Sequence, residues 1–209
     1  VAEILMLRSV LFRAQRALLI LPYVSICSEK AAQLSDQWSS AGVRVSAFFA
    51  NSDSSWHPGV DVAICTIERA NSLINKLIEE SVMADQVGLV VIDELHILAD
   101  ESRGYLLELI ALKIQMLNRK YQARIQIVGL SATLPNVDVI AKWCGGVLYQ
   151  TAYRPVPLAY NIKVKSNIYN PEGQIVHEMP SARQGDADHV AELVLDVVAN
   201  DQSVLMFCA

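Results

Sequence analysis

The sequence predicts an α/β fold in which a parallel sheet is flanked by helices. Short apolar runs alternate along the chain with longer amphipathic runs, which is the pattern of strands and helices in such folds. Hydrophobic residues make up 53% of the 209 residues and charged residues 19%. This composition is typical of a well-filled core and not of a disordered tail.

The predicted elements follow one another in a regular order. Apolar runs predict strands over 17–21, 43–49, 62–65, 89–92, 125–130 and 147–149. Amphipathic spacing predicts helices over 1–12, 25–41, 67–80, 105–117 and 136–143. The second of these helices is followed by Gly42, a residue that commonly ends helices.

The regular alternation of strand and helix patterns ends near Tyr153, where we predict a domain boundary. Residues 154–157 read RPVP, and each proline biases the residue before it away from helix, so this stretch is an extended connector. Beyond it we predict a strand over 158–164, a helix over 188–199 and a terminal strand from Ser203. The predicted domains are therefore 1–152 and 153–209.

Charge and cysteine content narrow the function classes. The net charge of −5 argues against bulk electrostatic binding of nucleic acid. No apolar run approaches the roughly 18 residues that a membrane-spanning helix needs. The cysteines form no CxxC pair and have no histidine at zinc-ligand spacing, so we predict reduced thiols in an intracellular protein. They are Cys27, Cys65, Cys144 and Cys208.

The most informative segment is the predicted strand that ends in Asp93 and Glu94. The carboxyl edge of an open parallel sheet is where ligands bind. Phosphoryl transfer needs one carboxylate to hold Mg²⁺ and another group to orient the attacking water. Asp93 suits the first role and Glu94 the second. A structural alternative is that the two carboxylates only cap the following helix.

A second polar tripeptide, Ser131-Ala132-Thr133, follows the predicted strand over 125–130. Alone, such a tripeptide is usually an ordinary turn. Because the carboxyl ends of neighbouring parallel strands meet at one edge, its hydroxyls could bond to the turn of Asp93 and His96. The pair of motifs therefore indicates a nucleotide-driven site.

Together these motifs resemble those of superfamily 2 helicases. Residues 93–96 (DELH) are similar to the DExH form of the Walker B motif, and 131–133 to motif III. Residues 21–30 (LPYVSICSEK) resemble motif Ia, and 66–73 (TIERANSL) resemble motif Ib. With SRGYLLEL, YRPVPL and NIYN elsewhere, the chain is most similar to polymerase theta-type helicases, in the branch that also holds archaeal repair helicases and RNA-exosome helicases.

The resemblance implies a RecA-like first motor domain, followed by the beginning of a second. By its motifs, Asp93 would hold Mg²⁺ beside bound ATP, Glu94 would polarise the attacking water, and His96 would couple to Ser131 and Thr133. Ser25, Thr66 and Arg69 would contact the backbone of single-stranded DNA. Thr66 has an independent rationale, because it stands where a strand becomes a helix and helix N-termini attract phosphate.

Each nucleic-acid role has a structural alternative. Thr66 could be a simple helix cap, and Arg69 could lie on a solvated helix face. Trp56, in a polar loop, is one further candidate for a DNA contact. Trp38 and Trp143 read as helix-face packing residues.

The resemblance also implies what surrounds the chain. It has no initiator methionine and no GxxxxGK[ST] phosphate loop. We therefore expect a piece of a longer nuclear protein that acts in double-strand-break repair by end joining, and no ATP turnover by the piece alone. Two rival functions stay open: an RNA helicase of the same branch, and a nucleotide-dependent DNA-binding or annealing module without productive hydrolysis. A third reading is a plain α/β domain.

Overall fold

The computed structural model describes residues 1–49, 56–132, 134–179 and 185–207. It divides into two compact units, Val1–Tyr149 and Gln150–Ala209, each considered by itself.

The first unit contains a five-stranded sheet whose strands pair in parallel in the order β2-β3-β1-β4-β5. Its strands are β1 Arg16–Leu21, β2 Val45–Phe48, β3 Val62–Thr66, β4 Val87–Ile92 and β5 Gln126–Gly129. Its α-helices are α1 Ala2–Arg13, α2 Val24–Trp38, α3 Ile67–Glu79, α4 Met83–Gln86, α5 Gly104–Tyr121 and α6 Val137–Trp143. Short 3-10 helices span Ser39–Ala41 and Leu95–Ala99. The predicted α/β class with a parallel sheet flanked by helices is confirmed.

The inner strands are buried because helices cover both faces of the sheet. Every residue of β3 and β4 is buried, as expected for inner strands of a covered parallel sheet. Alternate residues of β1 belong to two separate hydrophobic clusters: Leu18 and Ile20 pack with α3 and α5, whereas Ala17, Leu19 and Leu21 pack with α1 and α2. This alternation is the two-residue period of a strand.

Helix α5 begins in close contact with the 3-10 helix before it. A Cβ atom added to Gly104 would collide with the backbone carbonyl oxygen of Leu98. Gly104 also donates its N–H to the carbonyl of Asp100 at 2.9 Å. Because only glycine fits at this distance, the segment before α5 has one tight arrangement.

Trp56 is buried, which contradicts its interpretation as a candidate for a DNA contact. The side chain is 5% exposed, and its indole N–H donates to the carbonyl of Val60 at 2.9 Å. The guanidinium of Arg16 lies 5.4 Å from the ring centroid and donates to the Trp56 carbonyl at 3.3 Å. Arg16 begins β1, so this packing lies at the edge of the sheet opposite to Asp93.

The cysteines agree with the predicted thiols where the structure describes them. Cys27 and Cys65 are free and buried, and Cys144 is free and half-buried. Burial raises the pKa of Cys27 to about 11 and raises that of Cys65 further. Cys208 lies outside the described residues.

Two predicted strands are wrong. Residues 147–149 pair with no strand in the described part of the chain, and Val147 is 98% exposed. Residues 203–207, the described part of the terminal run, are not a strand either. No helix among the described residues is long and apolar enough to cross a membrane.

The second unit contains a three-stranded antiparallel sheet and one described α-helix. The strands are β6 Ile162–Val164, β7 Asn167–Tyr169 and β8 Ile175–Glu178, and the helix is α7 Val190–Ala199. The assignment of 153–209 as the beginning of a second motor domain stays a prediction.

Candidate nucleotide and nucleic-acid site

The turn that carries Asp93 is hydrogen-bonded to strands on both sides. Asp93 donates its N–H to the carbonyl of Ile20 at 3.0 Å, which continues the ladder between β1 and β4. Leu95 donates to the carbonyl of Leu130 at 2.8 Å, just past β5. These two bonds use main-chain atoms only, so they fix the turn between two strand ends whatever its side chains are.

Glu94 has a left-handed backbone, with φ 52° and ψ 49°. This conformation costs a non-glycine residue about 1–2 kcal/mol, and such strain is concentrated at functional sites. The Asp93 carboxylate stabilises the turn, because its Oδ1 accepts the Glu94 N–H at 2.9 Å. The two adjacent carboxylates therefore have different roles. That of Asp93 stabilises the backbone of the turn, and that of Glu94 extends from a strained residue.

The Glu94 carboxylate is accessible and faces a histidine. Glu94 Oε2 lies 3.1 Å from His96 Nδ1, and the two side chains are 44% and 47% exposed. Water can therefore reach the carboxylate, and the imidazole can hold its orientation. Because both groups are well exposed, their pairing contributes little to stability, and its value is positional.

The Asp93 carboxylate is the group at this turn that could take part in holding Mg²⁺. Its side chain is half-buried, and within the described residues no donor bonds to its second oxygen, Oδ2. The described chain contains no group of three or more potential metal ligands. Mg²⁺ typically takes one or two carboxylates and fills its octahedron with water and substrate phosphates. A single free carboxylate oxygen at this edge fits that pattern.

The Ser131 turn lies next to the Asp93 turn, as the strand order requires. β4 and β5 are neighbours, with Ile92 in register with Gly129. Ser131 is exposed, and in the described chain its hydroxyl makes no hydrogen bond to His96. The structure thus brings the two motifs together without the predicted side-chain contact. Thr133, the other predicted coupling residue, lies outside the described residues.

A cleft lies at the same edge of the sheet, beside β1 and β3. Its volume is about 460 Å³, and its lining includes two of the predicted DNA contacts, Thr66 and Arg69. The other lining residues are Pro22, Tyr23, Val24, Glu68 and Ser72. Ser25 lies in the first turn of α2 and is exposed, one residue beyond the lining residue Val24. All three predicted contacts therefore lie in or next to one concave surface.

Thr66 occupies the junction that the sequence predicted. It ends β3 and directly precedes α3, and Leu21 of β1 is its partner in the parallel register. It is 7% exposed, and its hydroxyl makes no capping hydrogen bond to α3. The simple-cap alternative therefore finds no support in this geometry. The nearby Glu68 carboxylate is exposed and opposes anion binding.

Sequence reasoning missed Arg103, which contacts the turn after β1 at the wall of the cleft. Its Nη1 donates to the carbonyl of Pro22 at 3.1 Å, and its guanidinium lies 5.4 Å from the centroid of the Tyr23 ring. An ion pair with Asp100 holds it from the other side at 3.8 Å. The contact with Pro22 spans 81 positions of the chain, so no local pattern could have predicted it.

The sheet order, the strained Asp-Glu turn and the adjacent Ser-Ala turn define the motor-domain architecture of a RecA-like helicase. Residues 1–140 match the DEAD/DEAH box helicase family, and the chain belongs to that family. The predicted resemblance is therefore confirmed.

Named relatives place the chain within this family. It is 43% identical to DNA polymerase theta of Mus musculus over an alignment of 222 residues, gaps included. It is 36% identical to Helicase POLQ-like of Homo sapiens over an alignment of 227 residues. It is 30% identical to the ATP-dependent DNA helicase Hel308 of Caldivirga maquilingensis over 208 residues. These alignments cover 100%, 100% and 99% of the chain but only 9%, 20% and 26% of the relatives.

A solved structure supports the fold. The DUF1998 helicase MrfA superposes with a TM-score of 0.52 at 18% identity, over 68% of this chain and 24% of that one. At this identity the likeness concerns architecture alone.

Proposed function

We propose that the protein containing this chain is an ATP-dependent DNA helicase or translocase that moves along single-stranded DNA. The observation that carries the proposal is the common edge of the sheet, where the Asp93–His96 turn lies one strand away from the Pro22 turn of the cleft. A nucleotide site and a strand-binding site that share one edge can influence each other. The relation to Hel308, an ATP-dependent DNA helicase by name, supports the same activity.

At the nucleotide site, Glu94 would orient and polarise the attacking water. Its accessible carboxylate and its partner His96 at 3.1 Å suit that role. Asp93 would hold Mg²⁺ through its free oxygen, usually with water between them. When bound, Mg²⁺ neutralises charge on the ATP phosphates. His96 would sense the nucleotide through the Glu94 carboxylate and pass its state to Ser131 and Thr133.

At the cleft, Ser25, Thr66 and Arg69 would bind the sugar-phosphate backbone. The first turn of α3 presents backbone N–H groups, which attract phosphate without a basic patch. Binding of phosphate by backbone N–H groups does not need an excess of basic side chains, so it is compatible with a chain of net charge −5. Because each neutralised phosphate contributes about 0.7 to the salt slope for single strands, Arg69→Gln should reduce that slope by roughly this amount.

Two further points of the proposal concern the whole protein. From the resemblance to polymerase theta-type helicases, we propose a nuclear role in double-strand-break repair by end joining. We also expect no ATP turnover from the 209-residue chain alone, because it contains no GxxxxGK[ST] loop to hold the phosphates.

The decisive experiment measures ATP hydrolysis by the full-length protein with no nucleic acid, with single-stranded DNA and with RNA. Wild type is compared with Glu94→Gln and with Glu101→Gln, a matched control at an exposed position seven residues further on. We expect DNA-stimulated turnover that Glu94→Gln abolishes and Glu101→Gln preserves. Stimulation by RNA alone would favour an RNA helicase. If Glu94→Gln hydrolyses ATP as fast as Glu101→Gln, the role of Glu94 is refuted.

A further inference from the structure

We propose that Arg103 is a positioning residue that couples the Asp93–Glu94 turn to the turn after β1 that lines the cleft. The inference rests on the proposed function, because it says how nucleotide state would reach the bound strand. Arg103 directly contacts the turn after β1 and is linked to Glu94 through the segment 94–103; its side chain is half-buried, at 24% exposed. It is not a lining residue of the cleft, so its role is to position the residues that are.

On the cleft side, Arg103 holds two consecutive lining residues. Its Nη1 donates to the Pro22 carbonyl at 3.1 Å, and its guanidinium packs on the Tyr23 ring at 5.4 Å from the centroid. Tyr23 in turn is the N-cap of α2, and its carbonyl accepts the N–H of Cys27 at 3.0 Å. A displacement of Arg103 would therefore move the cleft wall and the start of the helix that carries Ser25.

On the nucleotide side, Arg103 ends a segment of short-range hydrogen bonds that begins at Glu94. The Glu94 carbonyl accepts the N–H of Ile97 at 2.9 Å, and the Ile97 carbonyl accepts the N–H of Asp100 at 2.8 Å. The Asp100 carboxylate then accepts the N–H groups of Ser102 at 2.8 Å and Arg103 at 2.9 Å.

This segment has little freedom to absorb movement. The hydroxyl of Ser102 donates to the Asp100 carboxylate at 2.6 Å, and these hydrogen bonds lower the pKa of Asp100, so the carboxylate stays charged. The close approach of Gly104 to the Leu98 carbonyl fixes the far end. A rotation of the strained Glu94 backbone therefore passes along the segment to Arg103.

Arginine is suited to this position and lysine is not. One planar guanidinium donates to a carbonyl, packs on an aromatic ring and pairs with a carboxylate at the same time. A lysine ammonium is a compact charge that could keep only one of these contacts. Replacement by lysine therefore preserves charge and removes the connection.

The test uses the full-length protein and the variants Arg103→Lys and Arg103→Ala. Arg119→Lys, at an exposed position in the last turn of α5, is the matched control. ATP hydrolysis is measured without DNA and with increasing single-stranded DNA. DNA affinity is measured by fluorescence anisotropy with and without a non-hydrolysable ATP analogue. The ratio of those affinities reports coupling directly, which a merely structural residue would not change at constant folded fraction.

We expect both Arg103 variants to keep the DNA-free hydrolysis rate within about twofold and to bring the affinity ratio close to one. The affinity ratio should therefore fall by the whole factor by which the nucleotide changes DNA affinity in wild type, which is typically about 5- to 150-fold. The stimulation by DNA should fall in parallel, and Arg119→Lys should behave as wild type.

Three results would overturn the inference. If wild type is stimulated by DNA and Arg103→Lys retains the affinity ratio, the inference fails and the proposed function stands. If wild type shows neither hydrolysis nor stimulation, both fail together. If circular dichroism shows that both Arg103 variants are unfolded, Arg103 is a folding residue and not a coupling residue.

Discussion

Glu94 offers a test that separates backbone strain from chemistry. Its left-handed φ of 52° costs a side-chain-bearing residue about 1–2 kcal/mol, which glycine does not incur. Glycine loses about 0.5–1 kcal/mol more conformational freedom than alanine on folding. Glu94→Gly should therefore be more stable than Glu94→Ala by about 0.5–1 kcal/mol, although both variants lack the carboxylate and its contact with His96.

The assay is thermal unfolding of the 209-residue chain, followed by circular dichroism. In a protein of this size, 1 kcal/mol corresponds to a Tm difference of about 2–4 °C. We expect the glycine variant to melt about 1–4 °C above the alanine variant, and both to be inactive in the full-length protein. An alanine variant that melts at or above the glycine variant would show that residue 94 is not left-handed in solution.

Three further predictions concern packing and thiol ionisation. Gly104→Ala should destabilise the chain by about 1–3 kcal/mol through a backbone collision, measured as a lower urea midpoint; an unchanged midpoint would contradict the close approach. Gly129→Ala, whose Cβ would lie 2.7 Å from Leu95 Cδ2, should be rescued by Leu95→Ala, with a coupling of about 0.5–3 kcal/mol in a double-mutant cycle; additive effects would refute the contact. Burial raises the pKa of Cys27 to about 11 and also raises that of Cys144, which is only half-buried; alkylation at pH 8 followed by mass spectrometry should therefore modify Cys144 before Cys27, and modification of Cys27 first would contradict the burial of Cys27.

The parts of the fold that the sequence predicts well are those where local pattern and burial agree. β4 is apolar throughout because both faces of an inner parallel strand are covered, and its run ends at Asp93 where burial ends. The junction at Thr66 is equally readable, since an apolar run changes there into helical spacing. From these two positions the edge that carries the candidate site could be predicted before any coordinates.

The failures have a different physical origin. Residues 147–149 have strand propensity, but a strand also needs a neighbouring edge to pair with, which sequence alone does not reveal. Trp56 stands in a polar stretch, yet the ring is buried under Arg16, a residue 40 positions away. Arg103 was missed for the same reason, because its contact with Pro22 is long-range. Non-local contacts between polar atoms leave no periodic trace in a sequence.

The main-chain bonds of the Asp93 turn have a consequence for how such motifs diversify. The turn is attached through the N–H groups of Asp93 and Leu95, and neither bond depends on the side chain that the residue carries. Natural variation can therefore exchange the third and fourth letters of the motif without rebuilding the frame around it. The family's own name records two such spellings, DEAD and DEAH, and this chain has a third, DELH. In this chain the third residue, Leu95, packs close to Gly129 on the next strand, where an added Cβ would lie 2.7 Å from Leu95 Cδ2, so the side chain at this letter is limited by the space that its neighbour leaves.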